Sequence, residues 1–139
     1  MMSSHPFRLG AVAVGLCLAA FAATAQDDAL VDVPSGQPVT LIDVIANEPG
    51  PAGTTLRFRF LAPEIAPDAS ISFETATTDM AALCDSYALP RLADYGPVPD
   101  QVIISLADRI VPFGEVDDAA TQYFEAYRIE DGACVWDLF

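Results

Sequence analysis

The N-terminal 25 residues decide which part of the chain folds and in which compartment. A single cation, Arg8, precedes an apolar run over residues 9–22, and the small residues Ala23 and Ala25 flank Thr24. This order is typical of a secretory signal peptide, so we predict cleavage after residue 25. An uncleaved anchor helix is the alternative, but the run is short for a hydrocarbon core of about 30 Å. We therefore expect a periplasmic or secreted protein with no membrane anchor after cleavage.

Two cysteines, Cys84 and Cys134, remain once Cys17 leaves with the signal peptide. An oxidising compartment favours their pairing, and two thiols allow one connectivity. A catalytic or metal-binding thiol pair is the alternative, but the spacing is not Cys-x-x-Cys and the mature chain offers no histidine partner. The sequence predicts a structural Cys84–Cys134 disulfide.

The charge of the mature chain narrows the classes of partner. After residue 25 there is no lysine and no histidine, and all 20 acidic residues remain. The cations are Arg57, Arg59, Arg91, Arg109 and Arg128. Nucleic-acid binding depends on cationic contacts to phosphate, so we expect no nucleic-acid partner. Such a charge favours a cationic protein partner.

The mature chain fits one domain with its own core. Pro34 and Gly36 punctuate its acidic start, which predicts a flexible arm over residues 26–36 and a globular domain over residues 37–139.

The clearest strand signal is an alternation of apolar and charged residues. Leu56, Phe58 and Phe60 project to one face, with Arg57 and Arg59 on the other. A β-branched run over residues 38–45 predicts the partner strand, and turn formers over residues 47–53 predict a hairpin with a broad loop.

A helix is expected after a short edge strand over residues 70–73. Thr75, Thr77 and Thr78 are candidate N-caps, Asp79 suits the first turn, and Pro90 should end the helix. Its apolar face consists of Ala76, Met80, Leu83, Cys84 and Tyr87.

The last third of the chain predicts three strands. Residues 101–107 are apolar enough for an interior strand. Residues 121–129 suit a helix or a strand, of which we favour the strand, and the turn at residues 130–133 predicts a closing hairpin. The fold class is therefore α+β: a mostly antiparallel sheet with one helix packed on a face and one disulfide. A β-sandwich with a helical insertion is the alternative.

The residue types of the mature chain exclude several reactions. Catalysis by Ser-His-Asp or Cys-His arrangements needs an imidazole, and Schiff-base chemistry needs a lysine. No phosphate-binding loop is present, and we expect no cofactor. A carboxylate pair such as Asp108 and Glu115 could serve a small hydrolase. Acids at Glu115, Asp117 and Asp118, or at Asp27 and Asp28, do not match a calcium loop, so we predict no metal site.

Two kinds of side chain are candidates for binding. Arg57 and Arg59 share a strand face, where they could grip a carboxylate or sulfate, although pairing with acids across the sheet is the commoner role. Aromatic residues could line a groove, although such spacings are more often found in a core. These residues are Tyr123, Phe124, Tyr127 and Trp136.

Four segments together resemble an uncharacterised family of small exported bacterial proteins. They are Pro34–Gln37, Leu56–Phe60, Gln101–Leu106 and Glu125–Cys134. The resemblance implies secretion and a common fold, and the family offers no functional residues to transfer.

The leading hypothesis is a non-catalytic binding or envelope-accessory module. The sequence predicts export, the mature chain is acidic, and it lacks the histidine and lysine of the common catalytic arrangements. A periplasmic carboxylate-dependent hydrolase is the alternative, and a structural or salt-adaptation role is the third. A concave pocket holding two acids would favour the hydrolase. A flat acidic surface with exposed aromatic residues would favour the binding module.

Overall fold

The computed structural model describes Gly10, residues 29–50 and residues 53–137. Within these residues five strands form one sheet, ordered as they occur in the chain. The strands are β1 Thr40–Gly50, β2 Gly53–Leu61, β3 Gln101–Ala107, β4 Gln122–Glu130 and β5 Ala133–Trp136. Neighbouring strands pair antiparallel except β2 and β3, which run parallel.

A helical segment joins the two parallel strands. Parallel neighbours need a crossover of about a dozen residues or more, because the chain must return to the same end of the sheet. The segment contains a 3-10 turn Pro63–Ile65, the helix α1 Phe73–Leu83, a π-helical turn Cys84–Ala88 and a 3-10 stretch Leu89–Tyr95. The predicted α+β class, with a mostly antiparallel sheet and one α-helix on a face, is confirmed for the described residues.

The core lies between this helical segment and one face of the sheet. The alternation predicted for β2 is confirmed, since Leu56, Phe58 and Phe60 are at most 3% exposed. β3 and α1 supply further core side chains: Val102, Ile104, Leu106, Ala76, Met80 and Leu83. Burial of this apolar surface is the main force holding helix to sheet.

The closing hairpin and the disulfide are also confirmed. Asp131 and Gly132 have φ angles of 50° and 74°, the left-handed conformation that a two-residue turn between twisted antiparallel strands requires. β5 then places Cys134 against Cys84, with 6.2 Å between their Cα atoms and a bond between their sulfurs. The bond joins the π-helical turn to the last strand of the sheet.

The expectations for the start and end of the helix are wrong. Residues 70–73 form no strand, because the Ser72 hydroxyl accepts the Thr75 amide at 3.2 Å and starts α1 at the next residue. The threonines therefore lie inside the helix. Pro90 does not end the helical backbone, since it occupies the first turn of the following 3-10 stretch, where a missing amide hydrogen is tolerated.

The loop of the first hairpin is narrower than expected. Pairing of β1 with β2 extends to Gly50 and Gly53, so only residues 51 and 52, which lie outside the described residues, connect the strands. Two irregularities in β1, between Leu41 and Asp43 and between Ala46 and Glu48, absorb extra residues within the strand.

The segment before β1 differs from the expected flexible arm. Val31 donates its amide to the carbonyl of Val39 at 2.8 Å. Val31 and Val33 are half-buried and pack against the core. The physical reason is that apolar side chains alternate here among the acids. Residues 26–28 and the predicted cleavage site lie outside the described residues.

Candidate functional site: a cleft beside the N-terminal segment

A buried acid fixes the N-terminal segment to α1. Asp79 is fully buried, and its carboxylate accepts three hydrogen bonds. The donors are the Ser35 amide at 3.0 Å, the Ser35 hydroxyl at 2.5 Å and the Gln37 side-chain amide at 2.7 Å. A buried carboxylate needs such donors to offset its lost hydration. The hydrogen bonds therefore hold residues 35–37 against the helix.

A cleft of about 780 Å³ lies beside this segment. Its described lining comes from the N-terminal segment, the start of β1, the end of β2, the helical turns after α1 and the loop after β3. These lining residues are Ala29, Leu30, Val31, Asp32, Thr40, Leu41, Ile42, Leu61, Ser86, Tyr87, Arg91 and Ile110. The volume falls within the range of about 300–1,000 Å³ that is typical of small-molecule sites.

Arg91 is the cation of the described lining, and Tyr87 holds it in place. The guanidinium carbon lies 3.7 Å from the centroid of the Tyr87 ring. Arg91 Nη1 also donates to the carbonyl oxygen of Tyr87 at 2.8 Å. Both contacts follow from the four-residue spacing in a helical segment, which places the two side chains on one face.

Apolar side chains form most of the remaining wall. Leu30 and Ile110 are 68% and 66% exposed, so their apolar surface is open to water. Thr40 and Ser86 contribute hydroxyl groups, and Asp32 is the acid of the described lining. The cleft thus combines apolar side chains with charged and hydroxyl groups that could orient a ligand.

The arginines predicted to bind a ligand alternate along β2 with its core-facing residues and lie outside the described lining of the cleft. Arg59 forms an ion pair with Asp43 at 2.7 Å and donates to the carbonyl of Val111. Arg57 lies about 6 Å from the ring centroids of Phe113 and Phe124. Arg59 therefore has the expected cross-strand partner, and its contact with Val111 holds the loop between β3 and β4. Ligand binding by Arg57 and Arg59 stays a prediction.

The predicted carboxylate pair does not lie in the described lining of the cleft. The Asp108 side chain is 2% exposed. It accepts hydrogen bonds from Arg109 at 3.3 Å and from the Thr121 amide at 2.9 Å. Burial raises the pKa of Asp108, but the two donors and the charge of Arg109 together outweigh it and leave that pKa below its ordinary value. A lowered pKa is the opposite of what a general acid needs.

We expect Asp108 to stabilise the protein above the ordinary aspartate pKa of 3.8 and to lose this effect as the pH falls through its lower folded-state pKa. Asp108→Asn should lower the midpoint of urea unfolding near neutral pH. The difference from the unmodified protein should shrink as the pH falls below 3.8 and through the lower folded-state pKa, because the native carboxylate then becomes protonated as well. Asp118→Asn, at an exposed position, controls for the change in charge. A difference that grows in acid would contradict this assignment.

The other acidic and aromatic residues named as candidates mostly make local hydrogen bonds or pack in the core. The Asp117 carboxylate accepts the Ala119 amide at 2.9 Å, and no group of three potential metal ligands occurs among the described residues. Tyr127 is buried and Tyr123 packs edge-on against Phe73, as expected of core aromatics. Phe124 and Trp136 are each 55% exposed.

Taken together, the fold and the cleft define a small disulfide-linked α+β domain with space for a small ligand. The chain belongs to a family of unknown function, DUF6497, whose model matches residues 14–139. Neither a curated protein nor a solved structure matches the chain. The resemblance to an uncharacterised family is confirmed. None of the helices in the described part of the chain is long and apolar enough to span a membrane.

Sequence reasoning missed the cleft because its residues are far apart in the chain. Its walls combine residues 29–32 with positions as distant as Ile110. Arg91 follows Tyr87 by four residues, a spacing that gives a stacked pair when both residues lie in one helical segment, but the expected helix end at Pro90 left Arg91 outside the predicted helix. No local pattern shows that this pair faces a cleft.

Proposed function

We propose that this protein is an exported, non-catalytic binding module and that the cleft beside the N-terminal segment is its binding site. The observation that carries the proposal is the cleft itself, a ligand-sized space with apolar walls and a fixed arginine. A few polar groups at fixed positions in such a cleft hold a bound ligand in one orientation. The proposal places the protein in the periplasm or the medium.

Two features support export and binding. The structure contains the Cys84–Cys134 disulfide, a bond that persists mainly in oxidising compartments. Asp32 is the acid of the described cleft lining, which favours binding over hydrolysis by two carboxylates. The acidic composition would also suit a cationic protein partner outside the cleft, which fits an accessory role in the envelope.

The test uses the uncharged fluorescent probe N-phenyl-1-naphthylamine and protein purified from the periplasm of cells that express the full chain. We expect saturable binding of one probe per protein. Ser86→Trp should weaken this binding, because Ser86 is exposed on the cleft wall and an indole there would occupy part of the space. Urea unfolding would verify that the variant is folded.

The matched control is Ser70→Trp, which adds the same side chain at an exposed position outside the described lining of the cleft. It should bind the probe as the unmodified protein does. Absence of probe binding, or equal binding by both variants, would overturn the cleft as the binding site.

A further inference from the structure

We infer that the cleft selects a small anionic amphiphile, an aliphatic chain ending in a carboxylate, and that the carboxylate pairs with Arg91. The inference rests on the proposed function and adds to it the chemical class of the ligand. Three observations carry it: the charge of Arg91 lacks an acidic partner among the described residues, its orientation is fixed, and most of the side chains that line the cleft around it are apolar.

Among the described residues Arg91 has no acidic partner, although the chain contains 20 acidic residues. Arg59, Arg109 and Arg128 each have a carboxylate oxygen within 3.3 Å. Arg91 has no carboxylate within 4.0 Å among the residues that the structure describes. Within the same part of the chain, its hydrogen bond goes to the neutral carbonyl of Tyr87. A half-buried guanidinium without an anion is a ready partner for an anionic ligand.

The orientation of Arg91 suits a carboxylate. A guanidinium carries five N–H groups in its plane, and Tyr87 holds Arg91 by its ring and by one hydrogen bond from Nη1. The remaining donors allow the planar, paired contact that arginine makes with a carboxylate. Because the side chain is already fixed, little conformational entropy is lost when the ligand binds.

The apolar side chains of the lining favour an apolar body for the rest of the ligand. Leu30 and Ile110 are each about two-thirds exposed, and Leu41, Ile42 and Leu61 continue the apolar surface. An alkyl chain would remove this surface from water, and the burial of apolar surface favours binding. Inorganic phosphate or sulfate would leave the apolar side chains exposed to water, and a neutral lipid would leave Arg91 without an anionic partner. The overall acidity also disfavours multiply charged anions.

The test compares three ligands of equal chain length by displacement of N-phenyl-1-naphthylamine, below the concentrations at which they form micelles. They are decanoate, decanol and decyltrimethylammonium. We expect decanoate to bind about tenfold or more tightly than decanol, since a hydrogen bond to a charged group contributes about 1.5–3 kcal/mol. Decyltrimethylammonium should bind most weakly.

Variants assign the preference to Arg91. Arg91→Gln should make decanoate bind no better than decanol, and Arg91→Lys should keep part of the preference because it keeps the charge. Arg128→Gln, on the other face of the sheet, makes the same change in net charge and should leave the preference intact. An unchanged preference in Arg91→Gln would overturn the role of this residue.

The outcomes separate the two proposals. If the probe binds and decanol competes as well as decanoate, the anionic ligand class is wrong while the binding module stands. If neither the probe nor any of the three ligands binds, the proposed function is overturned. A hydrophobic peptide that binds more tightly than decanoate, with the same dependence on Arg91, would replace the small amphiphile with a peptide carboxyl terminus.

Discussion

Replacing both Cys84 and Cys134 with alanine is expected to lower the free energy of unfolding by about 4 kcal/mol. The bond closes a loop between residues 50 positions apart, and its loss frees the unfolded chain to sample many more conformations. The whole net stability of a small domain is about 5–15 kcal/mol, so the variant should be marginal at physiological temperature. Urea unfolding followed by circular dichroism measures the change.

The position of the bond explains where its loss should be felt first. β5 has four residues and pairs with β4 alone among the described strands. The disulfide and a hydrogen bond from the Cys134 amide to Asp85 at 3.0 Å fasten it to the helical segment. Without the bond we expect faster hydrogen exchange in β5 than in β3, which is paired on both sides.

A second measurement separates the cross-link from packing. Cys84 is fully buried, so alanine there also removes contacts. The unmodified protein unfolded in reductant loses the cross-link and keeps both side chains. Its stability should lie close to that of the double variant, slightly above it. A loss below about 1 kcal/mol in both cases would show that the unfolded chain is already compact without the bond.

The parts of the fold that were predictable from sequence depend on local pattern. The alternation of Leu56, Phe58 and Phe60 with two arginines identified β2 and its buried face, because side chains on a strand point alternately to opposite faces. The turn at Asp131 and Gly132 identified the last hairpin in the same way. The disulfide followed from the predicted compartment and from the number of cysteines, since only one pairing was possible.

The parts that were missed depend on contacts between distant residues. Ser72 rather than a threonine starts α1, because capping depends on which hydroxyl reaches a free amide, and several residues of suitable type lie close together. Asp79 was expected to serve the helix dipole at the first turn. It instead meets Ser35 and Gln37 from a segment more than 40 residues away, and no periodicity within either segment encodes that contact.

Asp79→Ala is expected to lower the free energy of unfolding by about 3–5 kcal/mol, because three donors would lose their charged acceptor in a buried site. Asp94→Ala, at an exposed position of the 3-10 stretch, should change it by less than about 0.5 kcal/mol. Urea unfolding of the two variants measures the contrast. A loss below about 1 kcal/mol for Asp79→Ala would mean that water or neighbouring groups replace the lost bonds.

The same residue links the stability of the domain to the cleft. Its donors, Ser35 and Gln37, lie just after the residues that form the N-terminal wall, so loosening them should release that wall. Asp79→Asn keeps the shape of the side chain but turns an amide towards one donor. We expect this milder variant to stay folded and to bind N-phenyl-1-naphthylamine more weakly than Asp94→Asn does. If its affinity for the probe is unchanged despite lower stability, the wall is held by the packing of Val31 and Val33 against the core rather than by the buried carboxylate.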